Sequence, residues 1–551
     1  LIEWGAWRVS FPRTIIDGTA ATTTVGRVDT YPPPVMMKAM PRRPNFLIVM
    51  AEHFTSLQDP NYQPFPMDLE AITRLATQAT RFERAYCAAP VCGPSRLSFL
   101  TGRLVCNHGG YDNGSVLASH VPTFGHVLTR GGYRTAMCGR MHIHGLDQHV
   151  GFEQRPASEI INPDLCQRGD RKGPAVDISK PPTPAPDDAP PTPTWSDSPI
   201  FKHDEYVTQQ ACQFLRGVPK DDDDRPFCLV AGYHAAHPGS YPNPAHAPLY
   251  DKYIQRDLPI AEFSPRLFDQ LPQHARWAIN TTKASNQAYS HAQQRHHMAL
   301  ALAATEYFDQ QVGQLLNALD NAGLADDTIV IVTADHGEGL GRHGLWGKMY
   351  FYEHAQRIPL YIRVPGRDAQ VVRECVSLVD ILPTLADFAD CDIPAPTDGK
   401  SLRPLIEQTR PERDDAVVFS EYHGYRAPCD MYMVVKGKYK YCHYLTEQDE
   451  LYDLASDPDE VHNLADDSAY AAIASELMAE IHSRVDIEHT AETIAEQNDQ
   501  RDLVCEAYEA SDTFKRMQRE RHEAFRAALN EPWWDGGEYL YAEVPSKPSK
   551  S

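Results

Sequence analysis

Four short stretches carry side chains whose types and spacing could do chemistry together. The first, CGPSRLSFLTGR from Cys92 to Arg103, has Pro94 where a helix takes its first turn and Thr101-Gly102 where one can close after about two turns. Cys92 then stands at a helix N-terminus, whose unpaired N–H groups and partial positive charge lower a thiol pKa and bind anions. Arg96, one turn on, adds a fixed positive donor directed to the same region. Taken by itself, a cysteine is most often a buried structural residue, so Cys92 alone would decide nothing. The other stretches are Glu52-His53, Tyr233-His234-Ala235-Ala236-His237-Pro238 and Asp335-His336-Gly337-Glu338. Carboxylates beside imidazoles suit a metal, although an isolated Asp-His pair is more readily a surface turn.

Each of these last three stretches follows an apolar run of strand length: Asn45 to Ala51, Phe227 to Gly232 and Thr328 to Thr333. Such runs suit strands buried on both faces of a parallel sheet. Between them, apolar residues recur at helical spacing from Asp68 to Thr80 and from about Met298 to Gly323, so the pattern is α/β. Open α/β sheets bind ligands beyond the carboxyl ends of their strands, where all three polar clusters would meet.

From about Arg413 the character changes. Val417 to Ser420, Met431 to Val435 and Lys438 to Tyr441 read as a small antiparallel sheet followed by helices. The expected organisation is an irregular extension over 1–44, a catalytic α/β domain over 45–412, a smaller antiparallel-sheet domain over 413–490, and a tail over 491–551. That tail reads as helical from Ala491 to about Asn530 and then aromatic at Trp533-Trp534 and Tyr539-Leu540-Tyr541, which favours a subunit contact in a homo-oligomer, a dimer or tetramer. The proline-rich stretch Lys180 to Pro193 reads as an extended surface loop, and the acidic run Asp221 to Asp224 as a solvated turn.

The chain has 551 residues, 42% hydrophobic and 23% charged, the composition of a globular protein. Its 52 basic and 75 acidic residues leave a net charge of -23, which disfavours nucleic acid and anionic membranes as partners. An anionic substrate therefore needs a locally positive pocket. The 12 cysteines include no CxxC pair and lack the density of a disulfide scaffold, which points to a reducing compartment. No apolar run reaches the roughly 20 residues that span a bilayer, and the first residues lack the pattern of a secretory signal, so the expected location is cytoplasmic.

C-x-P-S-R followed by an apolar stretch and T-G-R resembles the signature of the sulfatase family, with every fixed position present in CGPSRLSFLTGR. The resemblance implies an alkaline-phosphatase-like fold, a central mixed sheet flanked by helices with a smaller C-terminal α+β domain. It also implies that a formylglycine-generating enzyme oxidises Cys92 to formylglycine, whose hydrate attacks the sulfur of a small anionic sulfate ester. Its second hydroxyl then loses a proton and expels sulfate. The run TADHGEGLGRHGLWGK, from Thr333 to Lys348, is similar to the family's second metal motif, implying Asp335 and His336 as ligands and Lys348 as a contact to a substrate oxygen.

Where the family has Asp-Asp or Asp-Gln in its first metal motif, this chain has Glu52-His53, the remaining implied ligands. One divalent metal is implied, calcium or manganese, with zinc or iron also open, and an imidazole pair moves the choice away from calcium. Gly139-Arg140-Met141-His142-Ile143-His144-Gly145 is similar to G-K-x-H-x-x-G, with Arg140 replacing the lysine that binds sulfate and His142 set to hydrogen-bond the hydrate. By the same resemblance His237, before proline, protonates the leaving alcohol, with His234 in reserve, and Asn113 lies on the substrate side. Asn113-Gly114 is equally a turn. Glu450-Leu451-Tyr452-Asp453-Leu454, with Asp457-Pro458 and Asn463-Leu464, is similar to the ELYDL, DP and NL stretch of the family's C-terminal domain and is read as packing and substrate rim.

The implied activity is metal-dependent hydrolysis of sulfate monoesters. A phosphonate monoester or phosphodiester hydrolase on the same scaffold is the alternative, and an inactive sulfatase-fold binding protein a further one. GRMHIHG with an aromatic tail also resembles bacterial choline sulfatases.

Overall fold

In the computed structural model of the chain, the described residues are 43–59, 67–159, 199–220, 222–237, 246–260, 268–269, 271–281, 290–424, 427–517 and 519–520. Nine strands build the larger sheet: β1 (Asn45–Ala51), β2 (Thr80–Tyr86), β3 (Arg134–Gly139), β4 (Gln154–Ala157), β5 (Phe227–Gly232), β6 (Thr328–Ala334), β7 (Arg357–Ile358), β8 (Leu360–Arg363) and β9 (Gln370–Ser377). Their order is β4-β3-β5-β1-β6-β8-β2-β7, with β9 also on β2. From β4 to β6 the neighbours are parallel, and β8 runs antiparallel to both β6 and β2, so the sheet is mixed.

The apolar runs form its centre because both their faces are covered: Phe46 to Ala51 and Phe227 to Ala231 are fully buried. Register then fixes where the chain leaves the sheet. Met50 lies opposite Gly232 on one side and Thr333 on the other, so Glu52, Tyr233 and Asp335 emerge at one level.

The long helix His291–Asn321 begins ahead of the expected Met298 because Ser290 and Gln293 form a reciprocal cap. The stretch Asp68 to Thr80 is not one helix. Glu70–Ala76 is helical, and Thr80 already belongs to β2, where its side of the strand is buried between β8 and β9. The signature helix, Cys92–Thr101, is buried at every residue. Gly102 ends it at φ 65°, a left-handed conformation that costs glycine nothing.

A second, antiparallel sheet has the order β10 (Val417–Tyr422), β11 (Met431–Lys436), β12 (Tyr439–Tyr444) and β13 (Glu450–Asp453). Here β13 is the ELYD segment, which pairs with β12 as a strand; the buried Glu450 carboxylate accepts from Tyr444 Oη at 2.5 Å and Tyr452 Oη at 2.8 Å. Ala471–His482 and Ile487–Ala510 follow as helices, the latter starting before Ala491 because Asp486 caps it. No helix among the described residues is long and apolar enough to cross a membrane. The expected N-terminal extension up to residue 42, the proline-rich loop and the aromatic tail lie outside the described residues.

Candidate active site

The three strand ends are laced together before any side chain takes part. Tyr233 N–H donates to Met50 O at 3.0 Å, Asp335 N–H to Ala51 O at 3.2 Å, Glu52 N–H to Ala235 O at 3.0 Å, and Ala236 N–H to Glu52 O at 2.7 Å. The signature helix is pinned to this edge by Ser95 Oγ, which donates to Asp335 O at 2.5 Å, and by Arg96 Nε at 2.9 Å from Asp335 Oδ2. Its first residue thereby reaches the centre: Cys92 Sγ lies 2.9 Å from Glu52 Oε1, 3.4 Å from His336 Nε2 and 2.7 Å from Lys348 Nζ.

The helix terminus does not activate this thiol. Burial and the Glu52 carboxylate push its pKa up to about 12, against the opposing pull of Lys348 and Arg140. Helix-end physics predicts the opposite sign; desolvation outweighs it.

Glu52 is buried, which alone would raise its pKa, but Arg140, Lys348, His237 and Arg96 hold the carboxyl well below the usual range. Arg140 supplies the closest of these charges, with Nε 3.0 Å from Oε2 and Nη2 3.3 Å from Oε1. The two departures from the family motifs thus meet as one ion pair. Asp335 accepts at Oδ1 from the backbone N–H of His53 at 3.3 Å and of His336 at 2.8 Å.

Both imidazoles are oriented through Nδ1. His53, at φ 62°, places Nδ1 2.6 Å from Glu338 Oε2, and His336 places Nδ1 2.9 Å from Gly337 O. Each ring therefore directs Nε2 inward, toward Lys348 and Cys92 respectively. Burial, reinforced by Lys348, keeps His53 neutral, and burial lowers His336 to about 3. Ligand atoms of His53, Cys92 and His336, of Glu52, His53 and His237, and of Glu52, Cys92 and Asp335 fall in groups within 4.8 Å. Neutral imidazoles anchored at Nδ1, beside an ionised carboxylate, form a donor set that fits a divalent metal of borderline softness.

The remaining residues divide by position. Lys348 stands in front, 2.7 Å from His53 Nε2 and 3.8 Å from Glu52 Oε1. Arg96 stands behind, its guanidinium directed to Asp335, to the carbonyls of Arg140, Ala51 and Tyr233, and to Met141 Sδ. Its charge reaches the site through Asp335 and not as a donor facing the ligand. His142, at φ 59°, has Nε2 3.0 Å from Asn113 O, and its buried Nδ1 has no hydrogen-bond partner among the described residues. Asn113 Oδ1 in turn accepts from Gly93 N–H at 2.8 Å, and a Cβ at Gly93 would come within 3.1 Å of Asn113 Cα, so the loop closes tightly on the head of the helix.

His234 Nδ1 lies 3.7 Å from Glu52 Oε2, and its buried Nε2 has no hydrogen-bond partner among the described residues. His237 is the outermost of the group, half-buried, with its ring 4.1 Å from that of His53. Sequence reasoning assigned no role to Glu338 or Asp204. Glu338 anchors His53, and Asp204 accepts from His234 N–H and Ala235 N–H, both at 2.9 Å. Glu338 stands two residues after His336, a legible position; Asp204 is brought in by tertiary structure alone.

A mixed α/β sheet whose strand ends gather carboxylates, imidazoles and fixed cations around a helix-borne cysteine defines a hydrolase of anionic esters. The sequence model of the sulfatase family matches residues 44–391, and that of the N-sulphoglucosamine sulphohydrolase C-terminal region matches 341–486. The chain belongs to the sulfatase family, and its reaction is the hydrolysis of sulfuric esters. Choline-sulfatase of Rhizobium meliloti (strain 1021) is 29% identical over 447 residues, covering 77% of this chain and 83% of that protein. BT4656, solved in complex with its substrate D-glucosamine-2-N,6-O-disulfate, superposes with a TM-score of 0.62 at 23% identity, over 82% of this chain and 98% of that one. The phosphonate monoester hydrolase of Agrobacterium radiobacter does so with a TM-score of 0.61 at 23% identity, over 83% and 96%.

Proposed function

We propose that this sulfatase acts on small sulfate monoesters through Cys92 after its conversion to formylglycine, beside one divalent metal held by Glu52, Asp335, His336 and His53. The observation that carries the reading is the place of Cys92 Sγ, 2.9 Å from Glu52 and 2.7 Å from Lys348 at a helix N-terminus. A thiol whose pKa is pushed up to about 12 is a poor nucleophile at neutral pH, which favours its role as a precursor. Formylglycine, as its hydrate, supplies an oxygen nucleophile there, and the metal supplies charge that acidifies a hydroxyl and polarises sulfate oxygens.

The chain's own residues do the rest. Lys348 and the helix N-terminus bind the sulfate oxygens. His142, with Nε2–H given to Asn113 O, presents Nδ1 as an acceptor for a hydroxyl proton. His237, at the outer side, gives a proton to the departing alcohol, and His234 is the reserve for that role. Arg140 fixes Glu52, and Arg96 fixes Asp335. Two imidazole ligands favour manganese, iron or zinc over calcium. A formylglycine-generating enzyme is the partner this chemistry requires, and the aromatic tail supports a homo-oligomer.

The second reading, a phosphonate monoester or phosphodiester hydrolase, is favoured by the likeness to the Agrobacterium enzyme's fold. Mass spectrometry of the Cys92 peptide should show thiol replaced by aldehyde, and an aryl sulfate should turn over faster than an aryl phosphonate. An intact thiol in active protein sinks the proposed nucleophile; a preference for the phosphonate substitutes the second reading.

A further inference from the structure

The helix Ile487–Ala510 lies beyond the residues that either family model matches, yet it reaches the active-site wall. Arg501 Nη1 lies 2.7 Å from Asp112 Oδ2, with the carboxylate 4% exposed and the arginine side chain 20% exposed. Seven residues earlier in the helix, Ile494 belongs to the same buried cluster as Tyr111, the neighbour of Asp112. Positions seven apart share a helix face, so the face that carries the ionic contact to this loop also enters the apolar cluster that holds Tyr111.

Asp112 also organises the loop from within. Its Oδ1 accepts from Gly114 N–H and Ser115 Oγ, both at 2.9 Å. The residue so held is Asn113, whose side chain meets Gly93 N–H at the head of the signature helix and whose carbonyl meets His142 Nε2. An unbroken run of contacts and chain therefore leads from Arg501 to Gly93, next to Cys92, and to the His142 imidazole.

We propose that Arg501, acting through Asp112, is a positioning residue that seats Asn113 against Gly93, beside Cys92, and against His142, making the C-terminal helix part of the active-site wall. This inference rests on the proposed role of His142. The test is a kinetic comparison on an aryl sulfate of Arg501→Ala, Arg501→Lys, Asn113→Ala, His142→Ala and the double variants that combine Arg501→Ala with each of the last two. Cys92 conversion and thermal midpoint are measured for every protein.

Arg501→Ala should lower kcat/KM by about tenfold, mainly through kcat, since small displacements of a positioned group are costly. Arg501→Lys should restore most of it, because a point charge still reaches Asp112. In the Asn113→Ala or His142→Ala background, Arg501→Ala should cost less than about twofold. Fully additive losses overturn the strut while leaving the His142 reading intact, and so does a lowered thermal midpoint with unchanged kinetics. Undiminished rates in both Asn113→Ala and His142→Ala overturn the strut together with the reading of His142.

Discussion

Glu52 and Arg140 each depart from the family's motif, and in the structure they are each other's partner, at 3.0 Å and 3.3 Å. Restoring the usual residue at either position should therefore harm this enzyme. Glu52→Asp withdraws the carboxylate by about one C–C bond, ~1.5 Å, opening the closest contact from 3.0 Å to about 4.5 Å. At an effective dielectric of about 20 the attraction falls from about 5.5 to about 3.7 kcal/mol, a loss of about 2 kcal/mol. If it is felt in the transition state, kcat/KM drops by about 30-fold. Arg140→Lys replaces a two-point contact with a single ammonium and should lose a comparable amount. The assay is the initial rate on 4-nitrophenyl sulfate for wild type, both single variants and the double, at matched metal content and matched Cys92 conversion. Once one change has broken the pair, the second has little left to break, so the double should be better than the product of the singles by at least about 1 kcal/mol. Losses additive to within about 0.5 kcal/mol would refute the coupling, and a Glu52→Asp enzyme as fast as wild type would refute the geometry.

Two other expectations concern carboxylates that hold imidazoles. Glu338→Ala removes the acceptor that orients His53 and should weaken metal binding by about 10- to 100-fold in a chelator competition; unchanged affinity takes His53 out of the donor set. His423 is buried between Glu421 Oε2 at 3.0 Å and Asp430 Oδ1 at 3.2 Å. Burial pulls its pKa down, but hydrogen bonds to Asp430 and Glu421 prevail and raise it to about 8. A raised folded pKa stabilises fully below the unfolded value near 6.5 and is lost as pH rises through about 8, here about 2 kcal/mol. Unfolding free energy should fall over that window in wild type and stay flatter in His423→Gln; parallel curves would remove His423 as the cause.

What could be read from the letters was what local pattern controls. The three central strands and the limits of the signature helix follow from apolar runs, Pro94 and Gly102, and they bring Glu52, His234 and Asp335 to one edge. Residues that act at long range were not legible. Asp204 touches His234 across 30 residues of chain, and Arg501 touches Asp112 across 389. The state of Cys92 failed for the same reason: the local helix argues for an activated thiol, while a carboxylate 40 residues away and complete burial decide its protonation.

The charge balance of the pocket then assigns its cations. A chain with a net charge of -23 must build a positive site for sulfate, and the charges of Arg140, Lys348 and Arg96 all act on Glu52 at the strand ends. Arg96 is committed to Asp335 and Arg140 to Glu52, so these two guanidiniums mainly cancel the carboxylates they orient. Lys348 is different: its contacts are the neutral His53 ring and Cys92, with Glu52 farther off at 3.8 Å. Of these three cations it is thus the one without a carboxylate within 3.5 Å. In the function proposed above, the positive field that draws the ester would depend on that one ammonium, on the helix end beneath Cys92, and on the divalent ion assigned to the Glu52, Asp335 and histidine donors.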